Sequence, residues 1–153
     1  MKRAWDEGSW IIYMDEFAVL GNEHINYSWG PIGEHKIASV GKWERTFHCC
    51  LAMSEFRCEG IQIQNDPFTA ESISQFLKTH LNHYNEGERD GDEDIILVFD
   101  NARQHLAKAT QEYFRSLPFG IITLPPYTPV MNPVESLIGI IKQWIKTLKA
   151  NNK

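Results

Sequence analysis

The sequence has no apolar run approaching the roughly 20 residues that a membrane span requires. Behind the basic pair Lys2-Arg3 there is no apolar core of the kind a secretory signal carries. Cysteine is scarce: Cys49, Cys50 and Cys58 cannot all pair with one another, and the absence of Cys-x-x-Cys argues against a zinc ribbon. Cys49 and Cys50 are adjacent in an apolar stretch, where they read as small buried side chains. Internal repeats and linker-like segments are missing as well. These absences lead to the expectation of an intracellular protein with no membrane attachment, in the cytoplasm (nucleoid) if bacterial and in the nucleus if eukaryotic. Basic charge is also short. With 15 Lys and Arg against 20 Asp and Glu the net charge is −5, the wrong sign for a free-standing tight DNA binder, whose surface must neutralise phosphates. Acidity has a use, however, if carboxylates are gathered to hold a cation.

What is present suits one α/β domain over residues 1–153, long enough to bury roughly 68–70 % of its unfolded surface. Residues 10–20 (WIIYMDEFAVL) read as a strand, with further strand candidates at 36–41, 44–54 and 59–66. Thr69 begins a helix of about 15 residues, with Ile73, Phe76, Leu77, His80, Leu81 and Tyr84 along one stripe. An acidic loop, 85–94, precedes IILVF (95–99), a continuous apolar run of the kind that parallel sheets bury on both faces. Periodicity then predicts a helix over 102–116, a short buried strand over 119–124 and a proline-stiffened loop. An amphipathic helix over 134–149 closes the chain. Strands first, then α-β-α-β-α, imply a mixed sheet covered by helices.

Three carboxylates occupy informative positions. Asp100 ends the buried apolar strand, where open α/β sheets collect functional groups. It reads either as such a group or as a turn residue. Asn101, with Gln104 three residues on, is the better helix cap, which leaves Asp100 without a structural task. On that basis, Asp100→Asn in the absence of a cation should be neutral or stabilising. Glu135 follows Asn132-Pro133-Val134, so it reads either as the third helical residue of a capping arrangement or as a site residue, with Gly139 leaving room one turn on. Asp15 lies in mid-strand, either on a wet edge or facing a site, and strand alternation must send Glu16 to the opposite face. Gathered together, the three would repel one another unless a cation were supplied. Oxygen-only sets of this kind suit Mg²⁺ or Mn²⁺, and two such ions can clamp both reacting oxygens of a phosphodiester.

YMDE (13–16), VFDNARQH (98–105) and LPPYTPVMNPVES (124–136) resemble the three sequence blocks of mariner-type transposases and related bacterial insertion-sequence transposases, in the DDE superfamily. Between Asp100 and Glu135 lie 34 residues, the spacing of one large branch of that family. Tyr27-Ser28-Trp29-Gly30-Pro31-Ile32-Gly33 resembles its Trp-x-Pro-x-Gly hairpin. Thr128 stands where the family usually has Ser, and Val130 where an acidic or polar residue is common.

The resemblance implies an RNase H-like fold and a metal-dependent DNA endonuclease and strand transferase, with DNA (transposon ends and target) as partner and a homodimer as one assembly. Asp15, Asp100 and Glu135 would hold two divalent ions, Mg²⁺ or Mn²⁺, supported by Asn101, His105 and Asn132. His105 is expected at a scissile phosphate or an outer-shell water, or else as an ordinary surface histidine. His80 and His83 form an HxxH without a third ligand, and Lys142, Lys146 and Lys149 give the last helix a basic side, either solvated or touching DNA. Family members carry helix-turn-helix modules ahead of the catalytic domain, and none fits before Asp15. The chain is therefore expected to be an isolated catalytic domain, a split-frame product or a remnant. A non-cutting DNA-binding or assembly module and an RNase H-like nuclease remain open as alternatives.

Overall fold

The computed structural model describes residues 9–21, 32, 45–84, 94–102, 105, 107–117, 119–126 and 128–151. The sequence-expected strand at 36–41, the Trp29 hairpin (apart from Ile32) and nearly all of the acidic loop lie outside these. The described strands are β1 (Trp10–Val19), β2 (Phe47–Met53), β3 (Cys58–Gln64), β4 (Ile95–Phe99) and β5 (Gly120–Thr123). They form one mixed sheet in the order β3-β2-β1-β4-β5. The β1–β2 and β2–β3 pairs are antiparallel, whereas β1–β4 and β4–β5 are parallel.

Alternation along β1 divides the core in two. Ile12 and Met14 join Leu97, Phe99, Ile73 and Phe76 on one face, and Ile11, Tyr13 and Phe17 join Val98, Val134 and Ile138 on the other. Helices α1 (Ala70–Leu81) and α2 (Lys108–Ser116) contribute to the first face, and α3 (Pro133–Asn151) covers the second. Fully burying one such side chain contributes about 1.5–3 kcal/mol, so both faces stabilise the sheet. No helix among the described residues is long and apolar enough to cross a membrane.

Local chemistry sets the helix limits. Thr69 and Ser72 form a capping box, in which Thr69 Oγ1 accepts from Ser72 N (3.3 Å) and Ser72 Oγ from Thr69 N (2.7 Å). Beyond Leu81 the chain tightens into a 3-10 turn, Asn82–Tyr84. Helix α2 is shorter than periodicity predicts: it starts at Lys108, because Ala107 is extended (ψ 141°) and interrupts the expected 102–116 run. The expected cap pairs Asn101 with Gln104, which lies outside the described residues. The amide of Ala102 donates to Asp100 Oδ1 (3.0 Å), so Asp100 makes a turn contact of its own.

Helix α1 lies tightly on β3 at Gly60. A Cβ there would fall 2.5 Å from His80 Cγ and 2.6 Å from its Cβ, which gives His80 an ordinary packing role. Gly60→Ala should therefore cost about 1–3 kcal/mol through overpacking. Urea unfolding measures this, and an unchanged midpoint would contradict the close approach.

Candidate active site

The site forms where β1 outruns β4. Their last registered pair is Tyr13 with Val98. Two residues beyond that pair stand Asp15, still within β1, and Asp100, just past the end of β4 and near enough for its charge to act on Asp15. This corrects the wet-edge reading of Asp15: β1 is the central strand, and Asp15 is only 8 % exposed. Its Oδ1 accepts from Glu16 N (2.8 Å), and its Oδ2 has a long 3.5 Å contact from Asn132 Nδ2.

The loop after β5 brings in the third carboxylate. Leu124 N donates to Phe99 O, continuing the β4–β5 pairing past its last rung, and Pro129–Met131 forms a 3-10 turn that leads into α3. Pro133 opens the helix, where its missing N–H costs nothing. Glu135 N donates to Asn132 O (3.0 Å), and Asn132 Nδ2 turns to Asp15 instead of capping the helix. Asn132 is 2 % exposed, and its Oδ1 is buried with no partner among the described residues. Asp100, Asn101, Pro125, Thr128, Asn132 and Glu135 line a cleft of about 510 Å³. Asn101 and Glu135 are exposed at its rim. Gly139 opens onto empty space, so the room it leaves is used by no described group.

Burial first, then the charges of Asp100, Glu16 and Glu135, push the Asp15 carboxyl up to about 7, against the pull of the Glu16 amide. The acids therefore crowd one another electrostatically, as their grouping requires.

His105 is fully buried, which overturns the surface reading, and its ring contacts two carboxylates, one of which, Asp100, lines the cleft. Its Nε2 lies 2.8 Å from Glu16 Oε1, and its Nδ1 lies 3.0 Å from Asp100 Oδ1 and 3.2 Å from Asp100 O. Both ring nitrogens face acceptors, so both carry a proton. Burial alone would lower the ring's pKa, but the hydrogen bonds to Asp100 and Glu16 outweigh it and raise it to about 10. In return, the bond from His105 holds Asp100 below the usual carboxylate range. Asp100 thus has the structural partner that sequence reasoning denied it, and the expectation that Asp100→Asn is harmless without metal is withdrawn. Glu16 does occupy the opposite face, yet His105 links it to Asp100. The adjacent acids Asp15-Glu16 in an otherwise apolar strand were the signal that a buried cation had to be found.

The basic side of α3 is partly used internally. Lys149 Nζ donates to Leu20 O and Gly21 O (2.9 Å each), and Lys142 sits 5.8 Å from the Phe17 ring centroid. The side chain of His83 lies outside those described, and the HxxH pair with it.

Residues 10–153 match the family described as DDE superfamily endonuclease. The chain belongs to that superfamily. A curated relative, the transposable element Tc3 transposase of Caenorhabditis elegans, is 30% identical over 77 residues, which is 50% of this chain and 21% of the relative. Among solved structures, a Mos1 transposase paired-end complex with left transposon end has a TM-score of 0.72 at 16% identity, covering 94% of this chain and 44% of that one. A Mos1 mariner paired end complex with Mn has a TM-score of 0.66 at 15% identity, covering 92% and 48%. The fold is therefore RNase H-like. The chain spans less than half the length of each of these proteins.

The donor set fits a hard divalent cation in chemistry: Asp100, Glu135 and an orphaned Asn132 oxygen at one cleft, with Asp15 behind Asn132. Among the described residues, no three His, Cys, Asp or Glu side chains already stand close enough together to hold one ion. Asp15 is set back behind Asn132, and Glu135 reaches in from the rim.

Proposed function

We propose that this DDE superfamily domain is the catalytic part of a DNA transposase, in which Asp15, Asp100 and Glu135 hold two divalent ions, Mg²⁺ or Mn²⁺. The observation that carries the reading is the burial of the Asp15 carboxyl in the central strand, behind a cleft lined by Asp100 and Glu135, where burial and the charges of Asp100, Glu16 and Glu135 push it up to about 7. An anionic group of this kind, beside a cleft at the ends of parallel strands, is costly without a cation.

When bound, the ions would activate a water or a 3′-OH and neutralise charge developing on the phosphodiester. Asp15 and Asp100 would supply fixed oxygens from the sheet, and Glu135 would close the set from the start of α3. Asn101 and Thr128 line the cleft where the DNA strand would lie. The proposed reaction is hydrolysis at a transposon end, followed by attack of the freed 3′-OH on target DNA. With a net charge of −5 we expect weak, salt-sensitive and sequence-indifferent DNA affinity from this segment. We assign end recognition, and the pairing of two ends by a homodimer, to DNA-binding modules separate from these residues.

The test uses a labelled duplex carrying a pre-cut end, with target plasmid and Mn²⁺. Glu135→Gln should lower cutting and joining by about 10²-fold or more, because the metal's share of the barrier amounts to several kcal/mol. Activity that persists in EDTA, or that Glu135→Gln leaves intact, would remove the proposal.

A further inference from the structure

Asp15 and Asp100 both stand beyond the last registered pair of β1 and β4, but only Asp100 is held by His105. Its Oδ1 accepts two N–H groups, from Ala102 N at 3.0 Å and from His105 Nδ1 at 3.0 Å. Its Oδ2 accepts from no described residue and belongs to a side chain that lines the cleft. One oxygen is tied and the other is open.

The tie itself is anchored. His105 is completely buried, meets Phe99 edge to face with ring centroids 4.9 Å apart, and has its far nitrogen 2.8 Å from Glu16 Oε1. Glu16 rises from the central strand on the face away from the cleft, next in sequence to Asp15. Edge packing on Phe99 and acceptors at both nitrogens leave the ring a single orientation.

We propose that Glu16 and His105 are positioning residues of the active site. Glu16 orients the His105 ring, the ring fixes the Asp100 carboxylate, and Asp100 Oδ2 is thereby presented to a divalent cation in the cleft. This rests on the reading of Asp100 as a metal ligand. A carboxylate whose rotamer is set during folding does not have to be ordered when the ion arrives, and the partners that set such ligands typically matter about 10–100-fold in metal affinity. The same strand thus supplies a ligand, Asp15, on one face and the anchor of a second ligand, through Glu16, on the other.

A buried ion pair could also act on the fold alone, so the readout has to be metal affinity in the folded protein. Mn²⁺ binding is measured on the full chain by the electron paramagnetic resonance signal of free Mn²⁺, at a temperature where circular dichroism shows each variant folded. Glu16→Gln is the main variant, since it keeps shape and an acceptor oxygen, and His105→Gln is the harsher second one. Asp100→Asn is the reference for loss of the ligand. Glu16→Gln should raise the Mn²⁺ Kd about tenfold, and His105→Gln by at least as much. In the metal-free wild type, ¹⁵N-edited spectra should show both His105 ring N–H protons, with the Nε2 proton shifted in Glu16→Gln. A folded Glu16→Gln that binds Mn²⁺ as the wild type does would overturn the positioning role while leaving the metal site standing. A wild type that binds no Mn²⁺, indistinguishable from Asp100→Asn, would strike the metal reading itself and the positioning role with it.

Discussion

In EDTA, the protein should lose stability as the pH rises from 4 to 8. Asp15 has a folded-state value of about 7 against an ordinary 3.8, so the fold favours its protonated form. That contribution is complete below pH 4 and is lost as the pH climbs through 7, amounting to up to about 4 kcal/mol at 1.36 kcal/mol per unit. His105 acts in the same direction at higher pH. With a folded value of about 10 against 6.5, its contribution is whole below pH 6.5 and is lost as the pH rises through 10. Asp100, held low, contributes above pH 3.8 and loses that contribution as the pH falls through its folded value, which sets the acid limit. The metal-free optimum should therefore lie near pH 4–6, more acidic than the usual maximum between about pH 5 and 8. Asp15→Asn should flatten the part between pH 4 and 7 and exceed the wild type in stability at pH 8. Urea unfolding of both proteins at pH 5 and pH 8 decides it. A wild type equally stable at the two values, or a variant with the same slope, would contradict the crowded-acid description.

Replacing His105 by Leu should destabilise the protein by roughly 3 kcal/mol. Removing one partner of a buried ion pair typically costs about 3–5 kcal/mol, and here two carboxylates lose their shared cation at once. The lower end applies because water already reaches them: the Glu16 side chain is 12% exposed and that of Asp100 45%. The loss should not add to that of its neighbour. In a double-mutant cycle with Glu16→Gln, a coupling of about 1–3 kcal/mol is expected, because a neutral amide in place of the Glu16 carboxylate leaves no stranded charge when the ring is removed. A coupling near zero would mean that the 2.8 Å contact between His105 Nε2 and Glu16 Oε1 carries no energy.

The acids of the site were visible in the sequence because local pattern fixes their elements. The apolar run 95–99 must be a buried strand, so Asp100 must stand at its end, and Asn132-Pro133-Val134-Glu135 must begin a helix. Strand alternation likewise separates Asp15 from Glu16. Less was visible where the outcome depends on which strands pair. The order β3-β2-β1-β4-β5 makes β1 central, and with it Asp15 buried, but pairing is chosen by contacts distant in sequence. The burial of His105 was hidden for a related reason. A helical stripe drawn across 102–116 gives His105 a surface-like place in a first turn, whereas the chain is extended at Ala107 and His105 lies against Phe99. Asn132 is named for the site by the resemblance, but a cap explains the residue so fully that its turn toward Asp15 left no trace in the local sequence.

The offset between β1 and β4 also bears on which changes of length the domain tolerates. Asp15 lies on the α3 face because it stands two positions beyond Tyr13, the last residue of β1 registered with β4. Inserting or deleting a single residue between Tyr13 and Asp15 would exchange the two faces. Glu16 or Met14 would then take the α3 face, and Asp15 would point toward the His105 side. The shorter Asp side chain falls one methylene short of Glu in its reach toward that ring. Substitutions that keep the count can thus be absorbed along this strand, whereas an indel of one would displace the Asp15 carboxyl and the Glu16 contact with His105 in a single step.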